Sequence, residues 1–133
     1  MTHTQDQIFD DISHTWWDEK GPYRALHKLT PLRMEYILKM TDLKPGMKVL
    51  DVGCGGGLVA LPLARLGFNI VGVDQTKGSL DAARKKTLEE NLDIRFYAEL
   101  SDLEQEKFDV ILLLEVLEHV KSPLNLILEL KQY

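Results

Sequence analysis

A chain of 133 residues, 44% of them hydrophobic, is long enough for one domain with a real core and too short for two. Its net charge of −5 comes without a block of like charges, so there is no basic face for a phosphate backbone, and nucleic acid is not an expected partner. One cysteine cannot close an internal disulfide, and the polar start Met1-Thr2-His3-Thr4-Gln5-Asp6 lacks the layout of a signal peptide. The longest apolar run, Val110 to Leu114, is far below the roughly 18 residues that suggest a membrane span. A reducing cytoplasm is the expected compartment.

In chain order, a short helix is expected from Ile8 to Trp17, then a break at Gly21-Pro22. Thr30-Pro31 reads as the start of a second helix running to about Met40, with the hydroxyl as cap and proline in the first turn. Lys44-Pro45-Gly46 closes this helical N-terminal region, giving a boundary between residues 1–44 and 45–133. Beyond it come a strand at Lys48 to Val52, a helix at Leu58 to Leu66, a strand at Asn69 to Val73 and a helix at Ser79 to Glu90. Strands at Ile94 to Tyr97 and Phe108 to Leu114 follow, and Ser122-Pro123 caps a last helix, Leu124 to Lys131. This alternation predicts an α/β fold, a parallel sheet with helices on both faces. Pro62, inside the first crossover helix, predicts a kink or a late start. The continuous apolarity of Val110 to Leu114 suits a strand buried on both faces, yet the expected order 3-2-1-4 leaves that strand at an edge. Self-association through the exposed edge is therefore expected.

Gly53, Gly55 and Gly57 follow directly after a strand, where glycines permit a sharp turn and bring a ligand close to backbone amides at the start of the next helix. A nucleoside-containing ligand is implied. The dinucleotide fingerprint would need glycine at position 58, which is Leu58, so a nicotinamide cofactor is disfavoured. Asp-x-Gly-x-Gly-x-Gly from Asp51 instead resembles the first motif of class I methyltransferases. That resemblance puts the loop around the amino-acid part of S-adenosylmethionine and the Asp74 carboxylate, at the end of the second strand, against the ribose hydroxyls. The bland alternative is a tight turn with a solvated aspartate. Cys54 reads as a small spacer, since no histidine is near it in sequence.

Glu115-Val116-Leu117-Glu118-His119 stands at the carboxyl end of the fourth strand, where ligand sites gather in open α/β sheets. In a helical turn Glu115, Glu118 and His119 share one side. Three uses are open: a Mg²⁺, Mn²⁺ or Zn²⁺ site that stabilises a phenolate acceptor, a general-base role for His119 without metal, or plain loop polarity before the Ser122 cap. Trp16, Trp17 and Tyr23 either cover the mouth of the site or pack as core. Arg33 either meets a carboxylate, the cofactor's being one candidate, or lies on a solvated helix face.

Trp16-Trp17-Asp18, Leu26-His27-Lys28-Leu29-Thr30-Pro31-Leu32-Arg33, the glycine loop and Glu115 to Val120 together resemble the ubiquinone-biosynthesis O-methyltransferase family over nearly the whole chain. The resemblance implies a Rossmann-like class I three-layer sandwich with an N-terminal helical extension. The implied reaction is methyl transfer from S-adenosylmethionine to a catechol-type hydroxyl of a polyprenylated quinone precursor. It implies that Arg33, Asp51, Gly53, Gly55, Gly57, Asp74 and Leu114 touch the cofactor, and that Glu115, Glu118 and His119 sit at the acceptor and any divalent metal, with His119 and Glu115 catalytic. A lipid acceptor further implies peripheral association with the inner membrane. The family pattern continues through three more strands, so a fold truncated after the fourth strand and its helix is expected, holding the cofactor but leaving the acceptor pocket open. Gly78 and Pro62 depart from the ordinary helix residues expected at their positions. Two alternatives stay open: a non-catalytic S-adenosylmethionine-binding module, and a metal-dependent small-RNA 2′-O-methyltransferase, against which the negative charge speaks.

Overall fold

A computed structural model describes residues 13–133. The first half of the helix expected from Ile8 to Trp17 lies outside the described residues; its second half is a single 3-10 turn, Ser13–Thr15, with Trp16 and Trp17 in the turn that follows. Helix α1 spans Arg24–Met40, so Thr30-Pro31 does not start it but lies inside it. The Thr30 hydroxyl turns back to donate to the Leu26 carbonyl at 2.8 Å instead of capping. Pro31 is exposed and, lacking an N–H, withdraws the donor that the carbonyl one turn earlier would otherwise receive.

Strands β1 (Lys48–Val52) and β2 (Asn69–Val73) fall on the expected residues, while β3 (Arg95–Tyr97) and β4 (Val110–Leu113) are shorter than expected. They form one parallel sheet in the order β3-β2-β1-β4. Leu114 lies just beyond β4, packed against the core with Met34 and Leu43. Of β4 only Leu112 is buried. The expected two-sided burial fails because β4 is the edge and no further strand covers it among the described residues.

The layers follow from the period-two alternation of the strands. Val49, Ile70 and Leu112 point to one face, where they meet Ile37 of α1, Ala60 and Leu63 of α2 (Ala60–Arg65), and Phe68. Leu80 and Ala83 of α3 (Lys77–Glu89) pack beside them on Cys54, Leu61 and Phe96. Leu50, Val52, Val71 and Val73 point the other way, onto Leu103 of a 3-10 turn (Leu100–Leu103) and Leu130 of α4 (Pro123–Leu130). The result is a three-layer α/β sandwich. Ser122 caps α4 through Asn125 N–H, with Pro123 in the first turn as expected. Pro62 produces the late start rather than a kink: α2 begins at Ala60, which puts the proline in the first turn, where a missing N–H costs little. No helix among the described residues is long and apolar enough to cross a membrane.

Core and surface leucines should separate cleanly in chemical denaturation. Leu63→Ala, at a fully buried position between α2 and the sheet, is expected to cost about 2–5 kcal/mol, whereas Leu32→Ala, on the exposed side of α1, should stay within about 0.5 kcal/mol of the parent.

Candidate functional site

The parallel register sets Val52 beside Val73, so both chains leave the sheet at the same level. The Val73 carbonyl accepts from the amides of Gly53 (2.7 Å) and Cys54 (3.1 Å), which folds the bend after β1 over the end of β2. Asp74 completes the tie: one carboxylate oxygen accepts from Gly55 N–H and the other from Thr76 N–H, both at 2.8 Å. Its orientation is thereby fixed by two neighbouring backbone amides. Gly53, Gly55 and Gly57 all have positive φ, between 54° and 90°, where a side chain is strained. A Cβ on Gly53 would stand 2.6 Å from Val116, and one on Gly57 would stand 2.5 Å from Leu61.

Asp51 lies beneath this bend and is only 2% exposed. Burial, then the charge of Asp74, pushes its carboxyl up to about 7, and the Arg33 guanidinium partly opposes the rise. Burial likewise raises the Cys54 thiol well above its ordinary range. Arg33 reaches across from α1 to Glu115, with nitrogen and oxygen 2.6 Å apart. The carboxylate partner anticipated for Arg33 is thus a residue of this chain, at the carboxyl end of β4.

Glu115, Glu118 and His119 do not converge as a helical turn would make them. Glu115 has φ of +56° and stands before the 3-10 turn Leu117–His119, so its side chain leaves toward Arg33. Glu118 and His119 approach each other at 3.8 Å and are both largely exposed. No three acidic, histidine or cysteine side chains among the described residues are gathered closely enough to hold a metal ion. In this arrangement the expected metal set of Glu115, Glu118 and His119 is not gathered at one point.

Trp16 and Trp17 are tied to the glycine loop. Trp16 Nε1–H donates to Ser79 Oγ at 3.0 Å, and Trp17 Nε1–H donates to the Gly56 carbonyl at 2.9 Å. The Trp16 ring leaves no room for a side chain at Gly55, where a Cβ would come within 2.7 Å of it. Tyr23 stacks on Trp16 with ring centres 3.7 Å apart. His27 Nε2 is 2.7 Å from the Trp16 carbonyl, which anchors the segment to α1. The aromatics both cover the loop and pack. Sequence reasoning missed Ser79 and Val116, the partners of Trp16 and Gly53; both occupy ordinary helix or loop positions with no local signal. A separate hollow lined by Trp17, His27, Pro31, Pro62, Arg65 and Lys86 contains none of the predicted site residues, and its Arg65 is already paired with Glu90.

Residues 17–133 match the family model described as a methyltransferase domain, and the chain belongs to that family. Among curated relatives it is similar to the ubiquinone biosynthesis O-methyltransferase of Actinobacillus pleuropneumoniae serotype 7 (strain AP76), with 42% identity over 96% of this chain and 58% of that protein. It is 40% identical to the ubiquinone biosynthesis O-methyltransferase of Hahella chejuensis over 90% of this chain and 51% of the relative. The chain thus spans a little over half the length of the curated relatives it matches. A crystal structure of coclaurine N-methyltransferase bound to N-methylheliamine and SAH shares the fold, with a TM-score of 0.71 and 22% identity over 79% of this chain and 32% of that one.

The buried Asp51 makes a measurable contribution to pH dependence. Its folded-state carboxyl titrates near 7, above its ordinary value near 3.8, so the folded state holds a proton that the unfolded chain releases. Stability from this group therefore falls as pH rises from about 4 to about 7, by up to about 1.4 kcal/mol per pH unit. Subtracting the denaturation curve of Asp51→Asn from that of the parent at each pH isolates the slope. A flat difference would remove the assignment.

Proposed function

We propose that this chain carries the donor-binding part of an S-adenosylmethionine-dependent O-methyltransferase that acts on a catechol-type hydroxyl of a polyprenylated quinone precursor. The observation that carries the reading is the bend after β1, locked over β2 by Val73 and Asp74 and kept free of side chains at Gly53, Gly55 and Gly57. The donor set fits that ligand. Asp74, held by two amides, keeps lone pairs that two vicinal ribose hydroxyls would fill. Asp51 is a buried acid whose charge is costly in this apo arrangement, and the ammonium and sulfonium of the donor would offset that cost. Arg33 is the candidate partner of the donor's carboxylate, in competition with Glu115. Leu114 supplies apolar surface beside them.

When bound, S-adenosylmethionine would supply an electrophilic methyl carbon for an acceptor oxygen to attack, with the sulfur leaving as the neutral thioether of S-adenosylhomocysteine. The residues of this chain then need to orient the donor and take up the acceptor proton. His119 is the candidate base, with Glu115 and Glu118 setting the charge around it. An apolar face of α1 adjoins Arg33: Leu29, Leu32, Tyr36 and Met40 recur at helical spacing and are all exposed. This face suits a prenyl chain or the surface of the inner membrane, and it supports peripheral association. The names of the relatives support the quinone acceptor. A second reading, donor binding without transfer, is favoured by the exposure of His119, whose side chain is 70% accessible.

Calorimetry with S-adenosylhomocysteine tests the binding reading. Micromolar to low-millimolar affinity is expected, and Asp74→Asn should weaken it about tenfold, the worth of hydrogen bonds to a charged acceptor. Absence of binding to folded protein would overturn the reading. Affinity should also rise between pH 6 and pH 8, because the ligand's cation favours ionised Asp51, and the rise should vanish in Asp51→Asn. Radiolabel transfer to a demethylated quinone precursor decides between enzyme and binding module.

Glu115 offers an independent check. Glu115→Gln should free Arg33 and lower the KM for the donor by about two- to fivefold, while kcat falls if Glu115 also serves the acceptor side. An unchanged KM would mean that Arg33 does not meet the donor.

A further inference from the structure

We propose that Tyr23 is an additional ligand-contacting residue of the donor site, its hydroxyl donating a hydrogen bond to a ribose oxygen of the bound nucleoside beside Asp74. The proposal rests on the S-adenosylmethionine reading above. Tyr23 is 6% exposed, and its hydroxyl oxygen is the one buried side-chain nitrogen or oxygen among the described residues without a hydrogen-bond partner. Buried phenol hydroxyls ordinarily find a partner, and a single unmet one at the edge of a ligand site marks where a ligand atom belongs.

The position of the ring supports that assignment. Tyr23 lies nearly parallel to Trp16, 11° from coplanar, and Trp16 rests on Gly55 and Gly56 of the loop while Ser79 holds its indole nitrogen. The phenol is therefore fixed beside the bend through Trp16. Asp74 is near enough for its charge to help burial raise the phenol above its ordinary range, so the group stays protonated and acts as a donor at neutral pH. A ribose hydroxyl that donates to Asp74 keeps lone pairs of its own, and the Tyr23 O–H is of the type that fills one. Stacking on Trp16 needs only the ring. The hydroxyl has no role in the ligand-free fold.

Tyr23→Phe keeps the ring and removes the hydroxyl. Its ligand-free thermal midpoint is expected to equal or exceed that of the parent, while its affinity for S-adenosylhomocysteine in calorimetry falls about three- to tenfold, as for a lost hydrogen bond between uncharged groups. The same comparison with 2′-deoxy and 3′-deoxy S-adenosylhomocysteine should show the penalty disappearing for the analogue that lacks the contacted hydroxyl. Equal affinity of Tyr23→Phe and parent for S-adenosylhomocysteine overturns the proposal, and an equal penalty with all three ligands overturns the ribose assignment. A lower ligand-free midpoint would show that the hydroxyl serves the fold. If the parent itself does not bind, the donor-site reading falls first and takes this one with it.

Discussion

The carbonyl of Val73 and the carboxylate of Asp74 hold the site together. Between them they receive the amides of Gly53, Cys54 and Gly55, so the bend after β1 is hydrogen-bonded to the end of the next strand of the sheet. Parallel pairing of β1 with β2 in this register is what makes the tie possible, since it ends both strands at one level. A one-residue slip would turn Asp51 and Val73 to the wrong faces and remove both the buried acid and the anchored bend. The glycines then follow as a requirement of the tie: a chain folded back this tightly takes positive φ at alternate positions, and the space beside two of them is already filled by Val116 and Leu61.

Electrostatics gives the cleft its preference. Burial and the charge of Asp74 raise Asp51's cost of ionisation, and Glu115 adds a third carboxylate whose charge is taken by Arg33. A surplus of carboxylates around a shielded bend selects a ligand that brings its own positive charge, and a sulfonium with an ammonium three carbons away satisfies that demand better than a neutral nucleoside. The same surplus argues against a phosphate-bearing dinucleotide, whose anionic centre would lie against Asp51. Helix-start amides could offset only part of that repulsion.

Local signals carried the sheet and the bend, and failed where a distant partner decides. β1 and β2 coincide with the expected residues because short valine-, leucine- and isoleucine-rich segments followed by glycine or aspartate have little else to become. Thr30-Pro31 misled because a capping hydroxyl and a back-bonding one look alike in sequence; packing of Ile37 against the sheet and the turn at Gly21 to Tyr23 extend α1 backward past the proline. Glu115 misled for a similar reason. Its spacing to Glu118 and His119 fits a helix, but the chain leaves β4 through a left-handed residue, and Arg33, more than eighty positions earlier, takes the carboxylate. Tyr23 had no signal beyond aromaticity, since an unmet hydroxyl is visible only once its neighbours are placed.

Every residue that ties the bend, buries Asp51 or covers the loop lies before position 117, and the sheet positions them with β1 flanked on both sides. Glu115, Glu118 and His119, proposed for the acceptor side, follow β4, the edge strand of the same sheet. On the proposed reading, donor binding and acceptor recognition are separable along the chain and meet at Glu115, which Arg33 holds. A donor carboxylate that draws Arg33 away from Glu115 would release that side chain toward the acceptor only after the donor has arrived. The Arg33–Glu115 ion pair would then tie the order of the two events to charge.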